Sequence, residues 1–213
     1  LMDEPTFIDQ QTVYHLGESH CLSYANRLIK IHDTNYTIAP RITFGAKAYH
    51  FSTEKEDAIK AITKANFDSL PEGSKVFLSF GEIDCRPNEG FISATSKLNR
   101  PIENIISDTV EGYVSWFAEQ NQSKNHSLFF FNVPAPIYNE KFSKEVNVTV
   151  TRTIKLFNNL LHKNVLDYDF NVIDVYKLTA GKEGFSNSLF HIDDYHLSSK
   201  AIPEIEKQIS TFL

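Results

Sequence analysis

The sequence predicts a three-layer α/β/α sandwich built on a five-stranded parallel sheet, and three observations carry that prediction. Short apolar runs at 12–16, 35–42, 75–80, 127–133 and 170–175 alternate with segments whose apolar residues recur every three or four positions. The run Leu128, Phe129, Phe130, Phe131 has no polar alternation, as expected of a strand buried on both faces. Strands that alternate with helices pair in parallel through right-handed crossovers, which place helices on both faces of the sheet.

Residues 1–10 are polar with one proline and read as a lead-in. The first strand is 12–16, closed by Gly17. Cys21, Leu22, Tyr24, Ala25, Leu28 and Ile29 follow at near-helical spacing, which predicts a helix over 21–31. The second strand is 35–42, with Pro40 marking its end. Thr43-Phe44-Gly45-Ala46 is a short loop whose glycine permits close backbone approach. Ser52 or Thr53 is expected to cap an acidic first turn, with Ala58, Ile59, Ala61 and Ile62 as the buried stripe. Pro71-Glu72-Gly73 is a turn before the third strand, and 87–100 reads as a polar loop over the carboxyl ends of the strands.

Pro101 opens a long helix striped by Ile102, Ile105, Ile106, Val110, Val114 and Phe117. After the fourth strand, Pro134-Ala135-Pro136 is a stop. The segment 142–166 is helical in its second half, while the β-branched residues of its first half leave that part ambiguous. The fifth strand follows at 170–175, and Ser198 or Ser199 caps a terminal helix carrying Ile202, Ile205 and Ile209.

The chain has 213 residues, 41% of them apolar, which is enough for one domain over 1–213 with a substantial core. Leu1-Met2 followed by polar residues also fits a junction from which a leader or a neighbouring domain has been left out. A net charge of -6 without a Lys/Arg cluster argues against a nucleic-acid partner. Two cysteines, Cys21 and Cys85, are too few for a disulfide framework or a cysteine zinc site. No apolar run approaches the ~18 residues of a membrane span, and no secretion signal is evident, so a soluble protein is expected, cytoplasmic by default. Sequons at Asn35, Asn121, Asn125 and Asn147 matter only in a secretory eukaryote.

The chemistry is concentrated in two places. Gly17-Glu18-Ser19-His20 puts a serine on the turn after a buried strand, where backbone N–H groups converge on a nucleophile and its oxyanion. His191-Ile192-Asp193-Asp194-Tyr195-His196 supplies a base. The three-residue gap from Asp193 to His196 lets one turn bring the carboxylate to one imidazole nitrogen and leaves the other for a hydroxyl, whereas the same step from Asp194 meets Leu197. Ser19, His196 and Asp193 are therefore the candidate catalytic residues.

With these blocks in place, the chain resembles the SGNH (GDSL-type) hydrolases over most of its length. Gly17-Glu18-Ser19 is similar to the family's Gly-Asp-Ser block after the first strand, and Gly45 to the glycine after the second. Gly81-Glu82-Ile83-Asp84 is similar to the Gly-x-Asn-Asp block after the third, and Asp193-Asp194-Tyr195-His196 to the Asp-x-x-His before the last helix. The segment 156–161 followed by 171–175 resembles the family's penultimate helix and fifth strand.

The resemblance implies a flavodoxin-like sheet and a serine esterase without metal or organic cofactor. Its substrate would be a small-molecule or glycan ester, such as an acetyl ester on carbohydrate. Backbone N–H groups of Ser19 and Gly45 would hold the oxyanion. Two departures stand out. Glu18 replaces the usual Asp, and Ile83 replaces the Asn whose amide helps bind the oxyanion, a loss that can cost roughly 10²- to 10³-fold in rate. Arg86, with Asn88 behind it, is the expected replacement donor.

Around the site, Glu82, Asp84 and Tyr195 are candidate substrate contacts. Glu82 and Asp84 have an equal claim to be a buried pair that holds the loop with Arg86. Tyr49, Tyr138 and Tyr195 are either sugar-lining or packing residues, Cys85 is expected to be a buried inert thiol, and His20 to be exposed to solvent. Acyl transfer to a sugar hydroxyl, a silent glycan-binding module, and a metal site made by His191, Asp193 and His196 with Glu18 or His20 are the rival readings.

Overall fold

The structure is a computed structural model that describes residues 11–212, so the lead-in expected at 1–10 lies outside the described residues. Its six strands are β1 (Thr12–Gly17), β2 (Leu28–Ile31), β3 (Thr34–Ile42), β4 (Lys75–Ser79), β5 (Ser127–Phe131) and β6 (Asn171–Ile173). They form one sheet in the order β2-β3-β1-β4-β5-β6, parallel throughout except for the β2–β3 pair. The five expected strands are present. The sixth, β2, corrects the helix expected over 21–31.

The physical reason lies in the period of the burial. From Leu28 to Ile31 exposed and buried residues alternate, with Ile29 and Ile31 inside, and a left-handed Asn26 (φ 58°) ends any helical turn before them. Only Ser19–Leu22 coils, as a single 3₁₀ turn. Pro40 does not end β3. The amides of Thr37 and Thr43 donate to Gln11, just before β1, and to Gly17 at its end, so by alternation the Pro40 nitrogen faces the other side of β3, beyond Leu28, the first residue of the antiparallel β2.

The unbroken apolar strands are explained by packing on both faces. Val76, Leu78, Leu128 and Phe130 point into one core with Phe67, Phe117 and Phe157, while Phe77, Phe129 and Phe131 point into the other with Ile202, Ile205 and Ile209. Each fully buried side chain of this size contributes about 1.5–3 kcal/mol of transfer free energy, before the entropy of ordering it.

The first core is covered by α1 (Ala48–Ser52), α2 (Ala58–Asp68), α5 (Ile102–Asn121) and α6 (Lys144–Asp167). Ser52 ends α1. The cap of α2 is Asp57, whose side chain accepts from the Lys60 N–H at 2.9 Å. This cap shifts the buried face to Lys60, Thr63 and Phe67 and leaves Ile62 49% exposed, which corrects the expected stripe. Lys60 tolerates burial because its ammonium donates to the Thr53 carbonyl. The ambiguous first half of α6 is helical: Ser143 caps it, and Asn147 is buried with its amide bonded to the carbonyls of Asn139, Phe142 and Ser143.

The polar segment 87–100, expected as a loop, contains a helix of two turns. After α3 (Glu82–Cys85), α4 spans Phe91–Leu98, seated by Phe91 against Phe157 and ended by a left-handed Asn99. On the opposite face, α7 (Val175–Thr179) leads through a long loop to α8 (Ile202–Ile209), which packs on β2 and β6. No helix among the described residues is long and apolar enough to cross a membrane.

Candidate active site

β1 ends beside β4 with Gly17 paired to Ser79, and a side chain at Gly17 would place its Cβ 2.3 Å from the Ser79 hydroxyl. Only glycine lets the chain turn there, and the turn presents Ser19 at the carboxyl edge of the sheet. The 3₁₀ turn is too short to provide the helix macrodipole that a longer helix would bring.

The loop between α7 and α8 delivers the second half. His196 Nε2 lies 2.8 Å from Ser19 Oγ, and His196 Nδ1 lies 2.8 Å from Asp193 Oδ2. The other Asp193 oxygen accepts from the backbone N–H groups of Tyr195 and His196 at 2.8 and 2.7 Å. Against the upward push of burial, these two N–H groups and the imidazole draw the Asp193 carboxyl down to about 2. The carboxylate is therefore ionised whenever the imidazole needs it. The loop is closed on itself by Ile192 N–H donating to the His196 carbonyl at 2.9 Å.

A second layer lies beneath the serine. Glu18, 1% exposed, accepts from the Ser19 hydroxyl at 2.7 Å and pairs with His20 Nδ1. His20 is 8% exposed and so is not the solvent-facing residue expected: its Nε2 donates to the Tyr195 carbonyl at 3.0 Å. Burial pushes Glu18 up and His20 down, but their mutual bonds and charges win, leaving the carboxyl lowered and the imidazole raised.

Glu82 adds a further negative charge. Together with Glu18 and His20 it forms a cluster with metal-type ligand atoms within 4.8 Å of one another, but here the charges are paired, Glu18 to His20 and Glu82 to Arg86. The rival metal site of His191, Asp193 and His196 is likewise built differently, since His191 Nδ1 faces the Ser186 hydroxyl at 2.8 Å.

The expected substrate contacts divide. Asp84 is 1% exposed and accepts from the N–H groups of Ala48 and Tyr49 at 2.8 and 3.1 Å. It fastens the start of α1, not the substrate, and burial raises its carboxyl to about 6. Arg86 grips Glu82 through Nε and Nη2 (3.0 and 2.7 Å), faces Glu89 with Nη1 at 3.4 Å, and lies 4.3 Å over the Tyr195 ring. Its fork is committed to carboxylates, so it is not the ready oxyanion donor expected from sequence. Glu82 and Arg86 are thus the loop-holding pair, without Asp84.

Ile83 is buried, at 8% exposure. Gly45 follows β3 in a turn closed by Ala46 N–H to the Thr43 carbonyl, which leaves its own N–H outside that bond. A Cβ there would meet nothing within 4 Å, so its positive φ of 69°, not crowding, calls for glycine.

Ser19, Asp193 and His196 border an open groove of about 950 Å³ with Leu22, Arg27 and Ser198. On the far side of Tyr195, a cleft of about 620 Å³ is lined by Glu82, Arg86, His191 and Asp194 over Pro134, Phe142 and Ile154. Tyr138 is edge-on to Phe185, and Tyr49 borders another cleft beside Phe91. Both cysteines are free and buried, and burial raises their thiols, Cys21 to about 12.

His15, fully buried under the site, stacks on Phe131 and bonds Ser79 at 3.0 Å, while its Nδ1 has no partner among the described residues. Sequence reading missed it, because a histidine inside an apolar strand looks the same whether it is paired or not. Burial, then the charge of His20, lowers it from 6.5 to about 3. The unfolded chain therefore takes up this proton first as the pH falls. Stability is complete above about pH 6.5 and drops by up to about 1.4 kcal/mol per pH unit towards pH 3. Chemical denaturation across this range should show a steeper acid loss for the wild type than for His15→Gln.

No family model matches the chain, and no curated protein matches it in sequence. Solved structures do match in fold. A GDSL-like lipase from Bacteroides thetaiotaomicron superposes with a TM-score of 0.59 at 15% identity, over 94% of this chain and 86% of that one. An acetyl xylan esterase gives 0.57 at 14% identity, over 94% and 98%. An extracellular lipase from Streptomyces rimosus gives 0.55 at 11% identity, over 95% and 97%. With its sheet order, its serine after β1 and its Asp-x-x-His loop before α8, the chain has the fold of the SGNH (GDSL-type) hydrolases.

Proposed function

We propose that the chain is a serine esterase that hydrolyses small acyl esters through an acyl-enzyme. The observation that carries this reading is the unbroken sequence of contacts from Asp193 through His196 to the Ser19 hydroxyl, at 2.8 Å for each step. In the reaction, Ser19 Oγ attacks the ester carbonyl as His196 Nε2 takes its proton, and Asp193 holds the tautomer and balances the imidazolium. The imidazolium then protonates the leaving alcohol, and water repeats the sequence to release the acid. The oxyanion is received by the N–H groups of Ser19 and Gly45, which the missing amide at Ile83 leaves as the principal donors.

The groove beside Ser19 is open to solvent and sets Arg27, Ser198 and Ser199 next to the apolar Leu22, Ile192 and Leu197, which favours a small acyl group, such as acetyl, on an alcohol that carries further hydroxyls, such as a sugar. The acetyl xylan esterase among the structures that share the fold is consistent with that choice. A fluorophosphonate probe tests the reading, because it phosphonylates only an activated serine. Labelling of the folded chain that disappears in Ser19→Ala is the expected result. Absence of labelling in the folded wild type refutes the enzyme and leaves a silent binding module.

A further inference from the structure

The Ser19 hydroxyl has two proton acceptors, not one: His196 Nε2 at 2.8 Å and Glu18 Oε2 at 2.7 Å. A hydroxyl carries one proton and can give it to only one of them at a time. Glu18 is 1% exposed, and a carboxylate buried so completely is costly unless it is paired. Its partner is His20, whose two nitrogens both face acceptors, Glu18 Oε1 and the Tyr195 carbonyl. A carbonyl can only accept, so Nε2 carries a proton. Nδ1, against an ionised carboxylate, carries the other. Glu18⁻–His20⁺ is thus a second carboxylate–histidine couple on the same serine, beside Asp193–His196, with the two imidazole centroids 4.8 Å apart.

We propose that Glu18 is a second catalytic base for Ser19, acting in parallel with His196, and that His20 is the positioning residue that aims it. The inference rests on the serine-esterase reading above. Along this route the Ser19 O–H bond breaks, its electron pair forms the Oγ–C bond to the ester carbonyl, and the carbonyl π pair moves onto the oxyanion. The proton passes to Glu18 Oε2, leaving a neutral carboxyl. When the tetrahedral adduct collapses, that proton goes to the departing alkoxide, which leaves as the alcohol while Glu18 regains its charge.

Glu82 makes the transient tolerable. When Glu18 is neutral, the His20 cation still has a carboxylate within the same 4.8 Å cluster. The Arg86 clamp keeps it there. The remaining titratable groups that face the couple are His15 from β1, His191 and the Asp193–His196 pair from the loop, and the Cys21 thiol.

The test uses the full chain, with p-nitrophenyl acetate turnover and fluorophosphonate labelling as readouts and circular dichroism as the check on folding. A wild type that is folded but unlabelled removes the esterase reading itself. Given a labelled wild type, Glu18→Gln should lower kcat about 10²-fold at nearly constant KM, and Glu18→Asp should recover part of the loss. His196→Ala should keep a residual rate about 10²-fold above that of the His196→Ala/Glu18→Gln double variant. Equal rates for the last two, or a Glu18→Gln chain as fast as or faster than the wild type, overturn the proposal.

The pH profile of His196→Ala alone decides the matter if Glu18→Gln does not fold. A residual rate that is flat through neutral and mildly acidic pH and falls only in the acid range where a carboxylate base is protonated, at or below the ordinary glutamate value, supports Glu18. A rate that rises in proportion to hydroxide throughout overturns it.

Discussion

Ser19→Ala should lower kcat for p-nitrophenyl acetate by about 10⁶-fold, the scale seen when a triad nucleophile is removed, while the thermal midpoint stays close to that of the wild type. The hydroxyl is half-buried and supports no distant element: its contacts are Glu18 and His196, both within the site. Its loss removes the atom that attacks, and neither His196 nor Glu18 has a substrate proton to accept in its place. A Ser19→Ala/His196→Ala chain should accordingly be no slower than Ser19→Ala alone, because groups that act as a unit are not additive. Turnover measured on both variants checks this, and a further large drop in the double variant would show that His196 works on some other proton.

The largest expected effect on stability is at Gly90, which precedes α4. A Cβ there would sit 1.8 Å from the Asp84 carbonyl oxygen and 2.3 Å from its carbon, and backbone atoms cannot rotate aside as a flexible side chain can. Gly90→Ala should cost about 3 kcal/mol, the upper part of the overpacking range. For a chain of this size, that is a fall of about 6–12 °C in Tm, measurable by thermal denaturation. The displacement would reach the site too, because Asp84 fastens α1, which follows the Gly45 turn. Esterase activity should therefore decline before the chain melts.

Much of this arrangement was legible in the sequence because it depends on local pattern. The apolar runs of β4 and β5 could be buried only on both faces, and the three-residue step from Asp193 to His196 requires no distant partner to be recognised. What escaped was set by contacts remote in sequence. Leu28–Ile31 has spacing that fits a helix or a strand, and it is settled as a strand by pairing with β3. The polar face of α4 concealed the single anchor Phe91, whose partner Phe157 lies far along the chain. Arg86 is a local case instead: Glu82, one helical turn before it, takes its fork, and the sequence offered that pairing beside the oxyanion role. His20 read as a surface residue, since nothing local shows that the Tyr195 carbonyl will meet it 175 residues later.

That separation has a consequence for the chain as it is being made. Ser19 precedes its base by 177 residues, and the loop that carries His196 runs into α8, which packs on β2 and β6, so its seat is complete only once both of those strands are in place. Throughout synthesis, the serine therefore emerges early but stays without its imidazole until almost the whole domain has been extruded. A nascent chain cannot be acylated by way of His196 before it is folded, and in Glu18→Gln, where His196 is the base that remains, the appearance of reactivity towards the probe marks the moment at which residues 19 and 196 meet.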